Sequence, residues 1–491
     1  MKIQTSLSTI PKTQFSYQHA AHLLDRAGFG GTPQQIQALQ KLGLDKAITL
    51  LVDFKPQPQA YFQPQEIDKD LIKPQTREEK KARRLARKLN DEVLLSKLQK
   101  ARNIRRNKDR KQIATLANRW LERMISTSNP LEEKMMLLWH SHFASNYRTV
   151  RDSFLLYQQH QTLRKNALGN FKDLAYDIIK DPAMIRFLDN NSNVKGKPNE
   201  NLAREIMELF TLGQGNYTEK DIKEGARALT GRTFNDNDYV FNNKQHDYGR
   251  KKILGKSGYH QGKDFVRILL KQSACYKFVA FKLYKHFIAD IQAQPNPSQQ
   301  KVIDRIAYLL RKEKFQFKPV LKTIFKSKHF YDPSIIAHKI KSPAQLIVGT
   351  IRKLNAPPRD IAVLSDAMAI MGQKLFDPPS VKGWDGGRSW INTATLFTRH
   401  NITTYIASGK LPNNKNWNTD DIQYQPEKLV DSTEPKEIAK QLAARLLSAK
   451  PSPQVLKTIQ DLFDARQGQV NSNTILASIL IIMAMPEFQI V

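Results

Sequence analysis

Asn129-Pro130-Leu131-Glu132-Glu133-Lys134-Met135-Met136-Leu137-Leu138-Trp139-His140-Ser141-His142-Phe143 decides the fold class. Asn129 can cap a helix, and Pro130 suits the first turn, where its missing N–H would be unpaired anyway. Glu132 and Glu133 complement the positive end of the helix dipole. The stretch is a strong helix start, and similar signals recur on both sides of it.

Toward the N-terminus, Ser16 can cap a helix to about Arg26, ended by Gly28-Phe29-Gly30-Gly31. Thr32-Pro33-Gln34-Gln35 then restarts a helix with a capping box and proline at its first position. No strand precedes the glycines and no Gly-Lys-Thr follows them, which argues against a phosphate loop. Toward the C-terminus, Asn199 to Leu212 forms a helix stopped by Gly213, and Thr218-Glu219-Lys220-Asp221 caps another running to Gly231. The rhythm breaks over 234–262. There Tyr239-Val240-Phe241, the turn-like Asn242-Asn243 and Lys252-Ile253-Leu254-Gly255 suggest a small β-hairpin or irregular lobe. Helices resume near Lys263 and continue past Ser342-Pro343 to about Met371. Phe376 to Trp384 must be irregular, because Pro378 and Pro379 forbid helix, and a further helix starts at Asn392.

The expected architecture is therefore all-α, with a large multi-helical body, a small hairpin or irregular lobe and an inserted basic helical arm. Residues 1–66 form the N-terminal helices of the body, ending in a Pro- and Gln-rich linker over 55–66. The arm occupies 67–128, the main body 129–410, a polar linker 411–432 and a C-terminal helical unit 433–491. No internal repeat is visible.

Composition narrows the function classes. Hydrophobic residues make up 40% of the 491, enough for a sizeable core under a very polar surface. The formal net charge of +32 attracts anions over a Debye length of roughly 8 Å at physiological salt. An acidic protein, nucleic acid or an anionic membrane surface would all answer to it. The single cysteine, Cys275, rules out an internal disulfide and a cysteine-cluster metal site. Met1 to Phe15 lacks the apolar stretch of a signal peptide, and the longest apolar run, Ile475 to Met485, is too short to span a bilayer. By itself the chain reads as soluble and cytoplasmic.

The charge is concentrated. Lys73 to Arg123 holds 18 basic and 6 acidic residues, a net of +12. Leu85, Leu89, Leu94, Leu95, Leu98, Ile104, Ile113, Leu116 and Trp120 keep a helical stripe through it, as one long helix or a helical hairpin. A solvated arm explains the pattern. So does a docking surface for an anionic partner, on which Arg83, Arg84, Arg87, Arg105 and Arg106 would make contact. Aromatics are absent until Trp120, so base stacking is poorly supported.

Other residues carry possible chemistry. His140 and His142 point about 200° apart on a helix, so they share a metal only if the helix has ended. Otherwise one fills a hydrogen-bonded core position and the other faces a polar cleft. Glu200, Arg204 and Glu208 fall on one helical face, with Glu205 beside them. They suit a carboxylate–arginine network holding helices together, or an acid/base or metal-ligand set. His246-Asp247 sits in the irregular segment, where a proton relay, a metal ligand pair or a simple turn would each fit. Trp384, Arg388 and Trp390 mark a loop that plugs an interhelical groove or presents a binding hot spot.

Leu131 to Phe143, Asn199 to Gly213, Asn216-Tyr217-Thr218-Glu219, Ala228-Leu229-Thr230-Gly231, His246-Asp247 and Pro378 to Trp384, taken in this order, resemble the bacterial domain-of-unknown-function family numbered 1800. The resemblance runs from about His19 to the C-terminus. It implies no established activity. It does imply a neighbour, since the family's genes commonly sit beside those of another uncharacterised family, numbered 1501, which resembles alkaline phosphatases and sulfatases. Members are often predicted to be exported, so export bound to a signal-bearing partner, to the periplasm or beyond, is the alternative to a cytoplasmic protein.

The function expected is that of an accessory or interaction protein working with a phosphatase/sulfatase-like partner. The rival is a hydrolytic enzyme, with or without a divalent metal as its cofactor, using His140, His142, Arg204, Glu205, Glu208, His246 and Asp247. Non-specific binding of nucleic acid or an anionic surface is a third expectation.

Overall fold

The computed structural model describes residues 4–54, 66–73, 76–357, 359–410 and 425–491. Helix α1 (Tyr17–Ala27) is capped by Ser16 and α2 (Pro33–Val52) by Thr32, each side chain accepting the N–H three residues on. α1 packs on α2. The linker expected over 55–66 lies outside the described residues except for Glu66.

The arm is a helical hairpin. α3 (Arg77–Lys88) and α4 (Glu92–Ser126) pack against each other across a tight turn in which Asn90 takes φ 51° and Asp91 caps α4. The last third of α4 is rooted in the core through Leu116, Ala117, Trp120, Leu121 and Met124, and Asp109 and Ile113 before it also meet the body.

α5 (Pro130–His142) runs through the interior, with Leu131, Met135, Met136, Leu138 and Trp139 all buried. Its first turn also buries Glu132 and Glu133. Arg123 and Arg164 neutralise them, with Arg123 Nε to Glu133 Oε1 at 2.6 Å and Arg164 Nη2 to Glu133 Oε2 at 3.0 Å. The helices α6 (Tyr147–Val150), α7 (Ser153–Lys165), α8 (Phe171–Ile178), α9 (Pro182–Phe187) and α10 (Asn201–Glu205) follow. α10 widens directly into a π-helix over Ile206–Thr211 before α11 (Glu219–Leu229).

The lobe is two separate antiparallel hairpins. β1 (Arg232–Asn235) pairs with β2 (Asp238–Phe241), and β3 (Lys251–Ile253) pairs with β4 (Lys256–Gly258). Their turns are Asp236-Asn237 and Leu254-Gly255, so Asn242-Asn243 follows a hairpin instead of closing one.

The second half of the chain is helical again: α12 (Gly262–Leu270), α13 (Ser273–Phe287), α14 (Pro297–Lys312), α15 (Phe317–Lys326), α16 (Pro343–Leu354), α17 (Ile361–Ile370) and α18 (Thr393–Ser408). Of the linker expected over 411–432, residues 411–424 lie outside the described residues. α19 (Pro435–Leu446), α20 (Pro453–Asp464) and α21 (Ser472–Ala484) close the chain. α19 packs on α16 and α21 on α18, so this unit shares one apolar cluster that extends from Ile10 to Phe488. Among the described residues no helix is long and apolar enough to cross a membrane.

Candidate functional site

α5 sends its two histidines to different surroundings, as a 3.6-residue repeat requires. His140 sits among Trp120, His160, Phe376 and Trp384, and its Nε2 accepts the Phe376 N–H at 3.0 Å. Burial pushes its imidazole down to about 3, so it is neutral. His142 donates from Nε2 to the Phe210 carbonyl at 2.9 Å, and burial, then Lys282, holds it well below the usual histidine range. Its Nδ1 has no protein partner, and the residue borders a cavity. His140 is thus a core histidine, while His142 is the one that faces a cleft.

The carboxylate set divides where the helix changes type. Arg204 grips Glu219 at 2.8 and 2.7 Å and Glu200 at 3.2 Å, mostly at the surface. Glu208 is not in that network. It accepts from Tyr217 Oη at 2.6 Å and Gln214 Nε2 at 2.8 Å, bonds that hold its carboxyl below the usual range. In the π-helix the bonded groups are five positions apart, as in Leu212 N to Met207 O at 2.7 Å. Glu205 is half-buried at the junction, and burial, then Glu208, raises its carboxyl.

His246 and Asp247 lie between the two hairpins. His246 is buried and donates from Nδ1 to the Thr230 carbonyl at 2.8 Å. Asp247 accepts from Arg227 Nε at 2.7 Å and from the Gly249 N–H at 2.8 Å, and the Arg227 bond holds it below the usual range. This is a turn pinned by an ion pair. The predicted histidines and carboxylates are therefore divided among separate environments. Among the described residues, no group of three or more His, Cys, Asp or Glu side chains is placed to hold a metal ion.

The tryptophan loop closes on α5. Gly383 has φ 81°, and an added Cβ would overlap the Ser141 carbonyl oxygen, while the Trp384 N–H donates to Ser141 Oγ at 3.1 Å. Trp390 is buried, Arg388 is exposed, and both tryptophans border the same cavity as His142.

That cavity, of about 150 Å³, is lined by five basic side chains that sequence reasoning missed: Arg26, Lys134, Lys282, Lys285 and Lys339, of which burial holds Lys134 well below the usual lysine range. They come from α1, α5, α13 and the segment before α16. Two carboxylates, Asp290 and Asp385, face them. The spacing of Lys282 and Lys285, one turn apart on α13, was the only local signal, and it looks like any solvated helix face.

The arm gathers a second group of cations. Arg83 on α3, Arg102, Arg105 and Arg106 on α4, and Arg151 just past α6 crowd one another. Arg106 above all, then burial, Arg83, Arg105 and Arg151, draws Arg102 below the usual arginine range. Beside them is a groove of about 470 Å³ lined by Arg106, Asp109, Arg110, Tyr147, Arg148 and Arg151. Its one acid is already engaged, because Asp109 accepts from Tyr147 Oη at 2.6 Å and from Ser153 N at 2.9 Å. Arg84 and Arg87 are exposed on α3 and are not part of this crowd.

No curated protein and no solved structure matches the chain. Residues 22–490, nearly its whole length, match the family described as "Protein of unknown function (DUF1800)", with the motifs of α5, the α10 π-helix, the lobe and the tryptophan loop all inside the match. The chain belongs to the DUF1800 family.

Proposed function

We propose that this protein is an accessory or interaction protein that docks an acidic surface of a partner through its basic arm. One arrangement carries the proposal: the crowd of Arg83, Arg102, Arg105, Arg106 and Arg151. Among the described residues Glu79 meets Arg105 at 3.5 Å, and no carboxylate forms an ion pair with Arg83, Arg102, Arg106 or Arg151. Like charges held together on a scaffold raise the free energy of the unbound protein, and an opposing carboxylate surface relieves that repulsion. Arginine forks also suit paired contacts to carboxylates. An acidic protein fits better than single-stranded nucleic acid, because Trp120, the arm's aromatic, is buried at its root and offers bases no face to stack on. A phosphatase/sulfatase-like protein, the neighbour that the family resemblance implies, is the first candidate.

The test is affinity capture from nuclease-treated extract of the native host, with wild type beside Arg102→Glu/Arg106→Glu. Stoichiometric recovery of one acidic protein by wild type, lost in the variant, supports the docking role. Recovery only before nuclease treatment would make the partner nucleic acid.

A hydrolytic role is the second reading, and one observation favours it. Glu205 keeps a raised carboxyl where α10 passes into a π-helix, a distortion that recurs at functional sites. Ester hydrolysis by the purified chain that disappears in Glu205→Gln would support it, and turnover equal to that of Glu205→Gln would end it.

A further inference from the structure

The cavity between α1, α5 and α13 poses a separate problem, independent of the docking arm. Arg26 is only 2% exposed, yet its Nη2 donates to the Ile335 carbonyl at 2.9 Å while Nε and Nη1 have no partner among the described residues. Burial lowers its guanidinium to about 10, which leaves it cationic at neutral pH. A buried charge without a counterion or hydrogen bonds is costly.

Asp290 and then Asp25 support its charge through space, but among the described residues neither hydrogen-bonds it. Asp290 is taken at both oxygens, by Lys339 Nζ at 2.6 Å and by the Ile340 N–H at 2.9 Å. Asp385 is exposed and pairs with Lys382 at 2.7 Å. Lys285 donates to the Asp385 carbonyl at 2.6 Å, and Lys134 to the Gln345 amide oxygen. Lys282 makes no hydrogen bond among the described residues, its Nζ resting 5.2 Å from the Phe278 ring centre. Trp384 Nε1, a group that can only donate, is buried without a partner.

Two acceptors border the same space. His142 spends its one N–H on the Phe210 carbonyl, which leaves Nδ1 as a bare lone pair. His286 hydrogen-bonds the Lys134 backbone, and its Nε2 is buried without a partner. Both imidazoles are held neutral by burial. The cavity thus offers donors of positive charge from several directions, together with two lone pairs that require an O–H.

We propose that this cavity binds a small oxyanion that carries its own proton, hydrogen phosphate. Its deprotonated oxygens meet Arg26, Lys282 and Trp384, and its hydroxyl serves His142 or His286. Sulfate is fully deprotonated at neutral pH and leaves both imidazole lone pairs unpaired, where hydrogen phosphate pairs one of them. A carboxylate has two oxygens for donors that come from three elements. The cavity, of about 150 Å³, has room for a small oxyanion.

The experiment is isothermal titration of the full chain with inorganic phosphate and, separately, sulfate at neutral pH. One saturable phosphate site is expected, with sulfate at least about tenfold weaker and Lys282→Gln at least about tenfold weaker for phosphate. Lys282 has no hydrogen bond to lose, so this variant keeps the fold, and Arg102→Glu/Arg106→Glu leaves the affinity unchanged. No saturable heat, equal binding by Lys282→Gln, sulfate as tight as phosphate, or loss on reversing the arm arginines would each overturn the assignment.

Discussion

The Phe376 backbone N–H donates to His140 Nε2 at 3.0 Å, tying the middle of α5 to the chain just before the paired prolines. A ring nitrogen that accepts a backbone proton, inside a box of Trp120, His160 and Trp384, has no lone pair left there for a metal or a substrate proton. His140→Ala leaves that N–H buried and unpaired and opens a void. The expected loss is about 2–4 kcal/mol of stability, read by urea denaturation. Any specific ligand affinity should persist.

Glu133 is the centre of a buried charge network. It is fully buried, with Trp120 Nε1 at 2.9 Å and both Arg123 and Arg164 around it. Removing one side of such a network costs about 3–5 kcal/mol, so Glu133→Gln should unfold at markedly lower denaturant. Burial alone raises its carboxyl, but Arg164 and then Arg123 outweigh that and bring it below the ordinary value of 4.5. A depressed carboxyl stabilises the fold above its unfolded value and loses that contribution as pH falls through the folded one. Acid melts of Glu133→Gln should therefore show a smaller pH dependence below about 4.5 than wild type.

Asp181 works in the opposite direction. Burial lifts its carboxyl to about 7, although Met184 N and Gln159 Nε2 donate to Oδ1 at 2.8 and 2.9 Å. A group raised on folding gives stability at low pH that is lost as pH climbs from its ordinary value of 3.8 to about 7. Thermal melts across that window should fall with pH in wild type and run flatter in Asp181→Asn. Parallel curves would show that Asp181 does not titrate there.

Gly383 is a backbone requirement of the tryptophan loop. Its φ of 81° and the Ser141 carbonyl in its path make Gly383→Ala strained twice over. A loss of about 2–4 kcal/mol is expected, with Trp384 fluorescence reporting a displaced loop. Gly468, also at positive φ but with open space around it, should lose about 1 kcal/mol as alanine.

What was legible in the sequence was local. Ser16, Thr32, Thr218 and Asn392 cap their helices because a cap needs only a side-chain oxygen and the N–H three residues on. The lobe was visible as a break in rhythm, but its turns were not, because Asp236-Asn237 is no stronger a signal than Asn242-Asn243. The π-helix was invisible, since nothing in Ile206 to Thr211 departs from an α-helical pattern, and so was the bond from Tyr217 to Glu208. His142 and Trp384 could be singled out by type. The five basic side chains of the cavity could not, because Arg26, Lys134 and Lys339 lie far apart in the chain and only the packing of α1 on α5 and α13 joins them.

The arm arginines are expected to be nearly neutral for folding. Arg102 and Arg106 stand in solvent among like charges, so replacing both by Gln should change stability by about 0.5 kcal/mol or less, and raise it at low salt where the repulsion is unscreened. Melts at low and high ionic strength measure this.

The most direct test of the docking role is the affinity of the captured acidic partner for the purified chain, measured against salt and against Arg102→Glu/Arg106→Glu. An affinity that falls steeply with salt and at least about tenfold on reversal is the predicted result. Binding that ignores both would contradict the arm as the docking surface.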